Sequence, residues 1–173
     1  MAVIETERLI LRPWREEDAA ELYVSACDEQ VGPAAGWAPH RSVEDSLRVL
    51  REILMKPDTW AVTLRESGEI VGSIGAFPTA AEPGKGQPEI GYWIARPCWG
   101  RGYAPEAARA LISRCFAAGA ETVWCAHAVG NDKSRRVIEK CGFRFRCSQS
   151  WTSALGDTRE CLYYAIEKDE WKP

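Results

Sequence analysis

A strand, a glycine loop and a helix are predicted in succession by the stretch Glu89-Ile-Gly-Tyr-Trp-Ile-Ala-Arg-Pro-Cys-Trp-Gly-Arg-Gly-Tyr-Ala-Pro-Glu-Ala-Ala108. Residues 89–94 are rich in β-branched and aromatic side chains, and the run is too short for a helix. Pro105 suits the first turn of the helix that follows, and Gly119 predicts its end. The apolar residues of this helix recur at the spacing of one buried stripe: Ala104, Ala107, Ala108, Leu111, Ile112, Cys115 and Phe116.

The loop between them is Trp99-Gly-Arg-Gly-Tyr-Ala104, in which two glycines let the backbone turn sharply and approach a ligand closely. The helix presents free N–H groups and the positive end of its dipole at the same place. Such an arrangement suits a phosphate or a pyrophosphate. A plain reversal of the chain explains the glycines as well, and the loop alone leaves both interpretations open.

Length and composition predict one domain, 1–173, with a substantial core, since 46% of the residues are apolar. The 22 basic and 25 acidic residues give a net charge of −3, so no basic field indicates nucleic acid. No apolar run approaches the length that a bilayer requires, and the N-terminus lacks the basic and apolar segments of a signal peptide. We therefore expect a cytoplasmic protein without a membrane partner.

The seven cysteines are odd in number, scattered and without a Cys-x-x-Cys pair. Most have apolar neighbours, which indicates small core residues in a reducing compartment. The chain has two histidines, and neither lies at ligand spacing from a cysteine. No metal site is predicted.

The whole chain predicts the order β-α-α-β-β-β-α-β-α-β-β, in which hairpins are combined with a crossover helix. Segment 78–88 contains three prolines and two glycines and predicts an exposed loop. This order implies an α+β fold (an α/β sandwich) with a mixed, mostly antiparallel sheet of about seven strands and about four helices on its faces. The predicted strands are 8–14, 59–64, 70–77, 89–94, 121–129, 143–151 and 160–166, and the helices begin near residues 16, 42, 104 and 131.

Two other glycine-loop classes fit poorly. A dinucleotide-binding loop needs a third Gly or Ala where this chain has Pro105, and an acid at the carboxyl end of the next strand. Glu121 lies at the opposite end of that strand. A Walker loop is excluded because Gly-Lys-Ser/Thr is absent. The second glycine pair, Gly84-Lys-Gly86, precedes no predicted helix and is interpreted as a solvated loop.

Residues 89–143 resemble the coenzyme A core of the GNAT N-acetyltransferases, in particular the branch similar to the RimJ/RimL ribosomal-protein N-terminal acetyltransferases. The matching segments follow the family's order and spacing, so the likeness extends over nearly the whole chain. One departure is Pro97, which stands where the superfamily has Gln or Arg, so that a side-chain contact is lost there. The segments are Arg8-Leu-Ile-Leu-Arg12, Glu89-Ile-Gly-Tyr-Trp-Ile94, Trp99-Gly-Arg-Gly-Tyr-Ala104 with Glu106-Ala107, Asn131-x-x-Ser134 and Glu139-Lys-Cys-Gly-Phe143.

The resemblance implies the GNAT fold and acetyl-CoA as co-substrate, with its pantetheine arm lying between two diverging strands, here 89–94 and 121–129. The acceptor it implies is a primary amine, either a protein N-terminal α-amine or a small-molecule amine. The residues that it assigns to the co-substrate are Trp93, Ile94, Trp99, Gly100, Arg101, Gly102, Tyr103, Ala104, Asn131 and Ser134. The family includes monomers and homodimers, and the sequence leaves that choice open.

The same resemblance assigns catalytic roles to two residues, Glu89 as general base through water and Ser134 as general acid. The alternatives are a solvent-facing strand-end acid for Glu89 and a first-turn residue of a capped helix for Ser134. His127 is a weaker candidate base, because a lone strand histidine is typically hydrogen-bonded in its sheet. Tyr92 and Tyr103 are weaker proton donors, because aromatic residues beside a glycine loop typically pack.

In the family the early helices and their loop cover the acceptor side, which here places Trp14, Trp37 and His40 at the acceptor pocket. Trp37 is equally consistent with a residue that anchors a Pro/Gly-rich loop to the core. A second class of function remains open, a coenzyme A-binding sensor that keeps the fold and has lost catalysis.

Overall fold

One eight-stranded sheet runs through residues 2–172, the part of the chain that the structure, a computed structural model, describes. Its spatial order is β1-β2-β3-β4-β5-β6-β8-β7, and every neighbouring pair is antiparallel except β5 and β6, which are parallel. The strands are β1 (Ile4–Glu5), β2 (Leu9–Pro13), β3 (Thr59–Leu64), β4 (Ile70–Pro78), β5 (Pro88–Ile94), β6 (Thr122–Ala128), β7 (Arg144–Thr152) and β8 (Thr158–Glu167).

Five α-helices accompany the sheet in the described part of the chain: α1 (Ala19–Ala26), α2 (Gly32–Ala35), α3 (Val43–Val49), α4 (Tyr103–Ala117) and α5 (Asp132–Lys140). The α4 helix connects the two parallel strands, as such a pair requires. Its predicted apolar stripe is buried from Ala107 to Phe116. The Ser42 side chain caps α3 through a hydrogen bond from the Asp45 N–H. Within residues 2–172, no helix combines the length and the apolar character needed to span a membrane.

Side chains of β5 alternate between the two faces of the sheet. Ile90 joins the main core with residues of α4 and α5, whereas Trp93 packs against a second core with residues of α1 and α3. Glu89 and Gly91 lie on the Trp93 face by this alternation. Trp124, the partner of Glu89 in the β5–β6 ladder, belongs to a third cluster that covers the β6–β8 end of the same face.

The predicted fold class is confirmed, with one more strand and one more α-helix within residues 2–172 than expected. The additional strand, β1, has two residues, too few for any alternation to be visible in the sequence. The additional helix, α2, has four residues that include a glycine and a proline, which sequence patterns associate with turns.

The prediction of an exposed loop at 78–88 is partly wrong. Strand β4 runs to Pro78 and β5 begins at Pro88, and the segment between them folds back over β6. Gly84 is buried against the Trp124 indole, whose N–H donates a 2.7 Å hydrogen bond to the Gln87 amide oxygen. Burial follows from the missing Cβ, because any side chain at this position would overlap the indole ring.

Gly84→Ala should therefore destabilise the protein by about 1–3 kcal/mol, the usual cost of overpacking. The cost should be smaller in a Trp124→Phe background, because the indole atoms that the new Cβ meets are absent from phenylalanine. Urea unfolding of the four members of this double-mutant cycle measures the coupling. Additive effects of the two substitutions would contradict the packing described here.

Candidate active site

The two parallel strands of the sheet separate after a short stretch of pairing. Strands β5 and β6 are paired only at Glu89 with Trp124 and at Ile90 with Cys125. On their outer sides both strands remain paired along their lengths, β5 with β4 and β6 with β8. The sheet therefore opens between β5 and β6 toward the carboxyl ends of both strands, which is where α4 and α5 begin.

The glycine loop lies at this opening. Gly100 and Gly102 have φ angles of +76° and +83°, a left-handed conformation that other residues rarely adopt. Gly102 immediately precedes α4, and in the described structure no side-chain hydrogen bond caps that end of the helix. The first N–H groups of α4 and the positive end of its dipole therefore form a site suited to an anion.

Thr6, Arg8 and Glu106 form a hydrogen-bonded group, called the brace below, that supports the glycine loop. Arg8 donates from Nη1 to the Arg101 carbonyl oxygen (2.9 Å) and from Nε to Glu106 Oε2 (2.7 Å). Its guanidinium also lies 4.9 Å from the centre of the Tyr103 ring. The Thr6 hydroxyl donates a 2.6 Å hydrogen bond to the same carboxylate. Sequence reasoning matched Arg8 and Glu106 to family segments but gave neither a role.

The brace sets the ionisation of Glu106. Burial raises the pKa of this carboxyl group, but hydrogen bonds from Thr6 and Arg8 and the positive charge of Arg8 act in the other direction. The net result is a pKa below the ordinary value of 4.5. Glu106 is therefore a charged part of the loop's support at neutral pH.

Two further side chains shape the opening. The Trp99 indole N–H donates a 2.7 Å hydrogen bond to the Ile94 carbonyl oxygen, which ties the loop to the end of β5. The Lys133 Nζ atom lies 3.7 Å from the centre of the Trp99 ring. Sequence reasoning missed Lys133, although a lysine in the first turn of a helix opposes the helix dipole and is a usable signal.

On the α4–α5 face of the sheet, Tyr92 and Ser134 meet. Their hydroxyl oxygens are 3.0 Å apart, and the Asn131 side chain accepts a 3.1 Å hydrogen bond from the Ser134 N–H, so that Asn131 caps α5. Burial raises the pKa of Tyr92 well above its ordinary value, so the phenol stays protonated. His127, on β6, has both ring nitrogens engaged, Nδ1 2.9 Å from the Ala128 carbonyl oxygen and Nε2 3.3 Å from the Tyr164 hydroxyl.

Glu89 lies on the opposite face, at the closed end of the opening. Its residue exposure is 8%, so it is not the solvent-facing acid that was one of the two sequence interpretations. Burial raises the pKa of Glu89, and a side-chain hydrogen bond from Thr79 partly opposes this shift. A carboxylate of this kind holds a proton more tightly than an exposed one, which strengthens it as a base.

The three residues assigned to the acceptor pocket have different surroundings. Trp14 is 3% exposed and lies in the second core, where its indole N–H donates a 3.2 Å hydrogen bond to the Ser73 hydroxyl. Trp37 lies nearer the opening, with its ring centre 6.0 Å from that of Trp93. His40 is buried, its Nδ1 is 2.8 Å from the Ser46 hydroxyl, and burial lowers its pKa.

Helix α2, which leads into Trp37, bridges the elements around the opening. Asn131 Nδ2 donates to the Ala34 carbonyl oxygen (3.5 Å) and Arg159 Nη1 to that of Pro33 (2.7 Å). The Gly36 carbonyl oxygen accepts a 3.1 Å hydrogen bond from the Ala154 N–H. These bonds tie α2 to α5 and to the β7–β8 hairpin. Within residues 2–172, no three His, Cys, Asp or Glu side chains are grouped as metal ligands.

A mixed sheet that opens between its two parallel strands, with an anion-suited helix N-terminus at the opening, defines the acyl-CoA N-acyltransferase class of fold. Residues 8–144 match the family model described as an acetyltransferase (GNAT) domain. The chain belongs to the GNAT acetyltransferase family.

Curated relatives and solved structures agree with this assignment. The chain is 26% identical over 148 residues to YoaA of Bacillus subtilis (strain 168), an uncharacterized N-acetyltransferase, with 82% of each chain covered. It is 37% identical over 86 residues to YdaF of the same strain, provisionally named a ribosomal N-acetyltransferase, with 49% of this chain and 47% of YdaF covered. A GNAT-family acetyltransferase from Bacillus anthracis superposes with a TM-score of 0.84 at 24% identity, covering 98% of this chain and all of the other, and shows the shared fold.

The brace behind the loop predicts a pH-dependent contribution to stability. Because the folded-state pKa of Glu106 is lowered, its stabilisation is present above the ordinary carboxyl pKa and is lost as the pH falls through the folded-state pKa. Glu106→Gln should lower the unfolding free energy by about 1–2 kcal/mol at pH 7. The difference from the wild type should shrink below about pH 4.5.

Urea unfolding between pH 7 and the acid limit of reversibility measures this. Glu66→Gln, at an exposed turn, is the matched control and should change stability by less than about 0.5 kcal/mol at any pH. A Glu106→Gln difference that stays constant with pH would contradict the assignment.

Proposed function

We propose that this GNAT acetyltransferase is an acetyl-CoA-dependent N-acetyltransferase that moves an acetyl group to a primary amine by direct attack in a ternary complex. The acceptor is a protein N-terminal α-amine or a small-molecule amine. The observation that carries the proposal is the opening beyond Ile90, which leads from the paired end of β5 and β6 to the N-terminus of α4. The likeness to YdaF supports an acceptor of the RimJ/RimL type.

In this proposal the backbone N–H groups of 100–104 hold the pyrophosphate of the co-substrate, and Arg101 and Lys133 add positive charge. The pantetheine arm lies in the opening like an added strand and bonds to the main chain around Trp93 and Ile94. Trp99 and Tyr103 form the sides of the loop. The residues present fit such a group, since the loop has the two left-handed glycines that a close backbone approach requires.

The chemistry then draws on residues from both faces of the sheet. The neutral amine nitrogen attacks the thioester carbonyl carbon, a C–N bond forms, and the C–S bond breaks. Glu89 takes the proton from the attacking nitrogen through water, and the departing sulfur takes a proton from the Ser134 hydroxyl. Tyr92, protonated and 3.0 Å from Ser134, orients that hydroxyl. When the products leave, Ser134 regains its proton from water and Glu89 releases its proton to water.

The acceptor's own pKa decides how much a base contributes. An α-amine with a pKa of about 8 is roughly a tenth neutral at pH 7, whereas a lysine amine with a pKa of about 10.4 is neutral in about one molecule in two thousand. An amine with a lower pKa is more often neutral at pH 7 and therefore depends less on a general base.

The direct test is incubation of the protein with acetyl-CoA and a panel of amines, read by product mass and by thiol release. Acetylated product with equimolar free thiol supports the proposal. Coenzyme A binding by calorimetry without product for any amine would refute it and favour the sensor function.

Glu89→Gln should lower kcat by about 10²- to 10⁴-fold, the usual contribution of a general base. Because burial raises the Glu89 pKa, wild-type activity should decline with falling pH from a point above the ordinary carboxyl value of 4.5, and the variant should lose this limb. Steady-state kinetics between pH 5 and 9 measure both effects. Glu82→Gln, exposed in the segment between β4 and β5, is the control.

If Glu89→Gln leaves kcat for a saturating amine unchanged from pH 6 to 9, Glu89 is not the base. The KM for acetyl-CoA should stay close to the wild-type value, because Glu89 lies away from the glycine loop. A large rise in that KM would point instead to a structural role.

A further inference from the structure

The face of the sheet that carries Glu89 is covered by two separate layers. Helices α1 and α3 pack over β2 to β4, and the segment 79–87 packs over the cluster around Trp124. Between these layers β5 presents Glu89, Gly91 and Trp93, which share this face by strand alternation. Gly91 and Trp93 are both partly exposed. The strip between the layers is the side of the opening on which α2 and Trp37 lie.

An aromatic ring lies along this strip. Phe77 is the partner of Glu89 in the β4–β5 ladder and is 48% exposed. A Cβ atom placed on Gly91 would lie 2.9 Å from Phe77 Cε1, so the ring lies over Gly91 instead of pointing away from the sheet. The missing side chain at Gly91 is what allows a half-exposed phenylalanine to lie flat beside Glu89.

Trp93 and Trp37 continue the aromatic surface toward the opening. Their rings meet edge to face at 6.0 Å, a favourable geometry for an aromatic pair. Trp37 also fills the space beside Gly32, and α2 is tied to its surroundings at Pro33, Ala34 and Gly36. From Glu89 to Trp93 the strip is about 13 Å long, the rise of four strand residues.

The charge on this strip is small. Of the residues that β4, β5 and β6 turn toward this face, Glu89 is the one carboxylate. Asp157, a carboxylate in the turn between β7 and β8, already accepts hydrogen bonds from Arg159 and Ser153. A polyamine or an aminoglycoside carries several ammonium groups, each of which needs a carboxylate or water when it is bound. This strip offers one carboxylate and aromatic faces.

We propose that the acceptor is a primary amine with one positive charge borne beside an aromatic group, and that Phe77 and Trp93 bind that group while Glu89 faces the amine. The proposal rests on the proposed function and names its substrate class. Aromatic groups stack on Phe77 and Trp93, and a single ammonium group is stabilised by the ring faces before it gives up its proton. The amine is either free or the terminus of a peptide whose first residue is aromatic.

The test compares acceptors in pairs with acetyl-CoA held saturating. The panel contains 2-phenylethylamine, the matched 2-cyclohexylethylamine, spermidine, kanamycin, and two short peptides that begin with Phe or with Ser. We expect kcat/KM for 2-phenylethylamine to exceed that for spermidine by at least about tenfold and to exceed that for the cyclohexyl compound. The free-amine and peptide arms tell the two sources of the aromatic amine apart.

Phe77→Ala should raise the KM for 2-phenylethylamine by about tenfold and leave the KM for acetyl-CoA unchanged. Phe145→Ala is the matched control, since Phe145 is 55% exposed on the opposite face of the sheet, beside Tyr164. Phe77→Asp adds a second carboxylate to the strip and should shift the preference toward spermidine. Both positions are exposed enough for the three variants to retain the fold, which circular dichroism checks.

The possible results distinguish failure of the proposed function from failure of this inference. Absence of product with every amine refutes the proposed function itself. Product with spermidine or kanamycin in preference to the aromatic amines leaves the proposed function standing and overturns this inference. An unchanged KM in Phe77→Ala, or an equal rise in Phe145→Ala, also overturns it, because the aromatic strip would then not be the binding surface.

Discussion

The rest of the structure depends on the point where the β5–β6 ladder stops. These are the two parallel strands of an otherwise antiparallel sheet, and they remain paired only at Glu89 and Ile90. Parallel strands need a crossover connection, and here it is α4, whose N-terminus therefore lies at the carboxyl end of β5. The opening and the helix N-terminus arise from the same connection. The gap between the strands and the site suited to an anion at its mouth therefore occur together. Continuous pairing of the two strands would remove both.

The sheet also separates the two groups to which the proposed function assigns proton transfer. Strand alternation sends Glu89 to the face of α1 to α3 and Tyr92 to the face of α4 and α5, where it meets Ser134. In the proposed mechanism, the base and the acid therefore approach the opening from opposite sides. The raised pKa of each buried group, Glu89 and Tyr92, follows from this placement within the protein.

Periodicity and capping rules predicted the long elements well. The buried stripe of α4 and the Asn131 cap of α5 are visible in the sequence because they depend on neighbours a few residues away. Contacts between distant segments are not visible in this way. The Arg8 brace joins residues about a hundred positions apart, and the Phe77 ring lies over Gly91 because two strands happen to pair in that register. Short elements such as β1 and α2 carry too few residues for a pattern.

At the mouth of the opening, Lys133 supplies a positive charge and Pro97 supplies none. Pro97 lies in a 3-10 turn, Arg96–Cys98, and supplies no polar side chain to the loop. Lys133 approaches from α5 and stacks on Trp99, although a cation in the first turn of a helix costs about 0.3–1 kcal/mol against the dipole. The cation–π contact recovers about 0.5–1 kcal/mol at an exposed site. If a diphosphate binds between Lys133 and the amides of α4, as in the proposed function, the near balance of these two effects becomes a net gain, so we expect Lys133 to matter more for ligand binding than for folding.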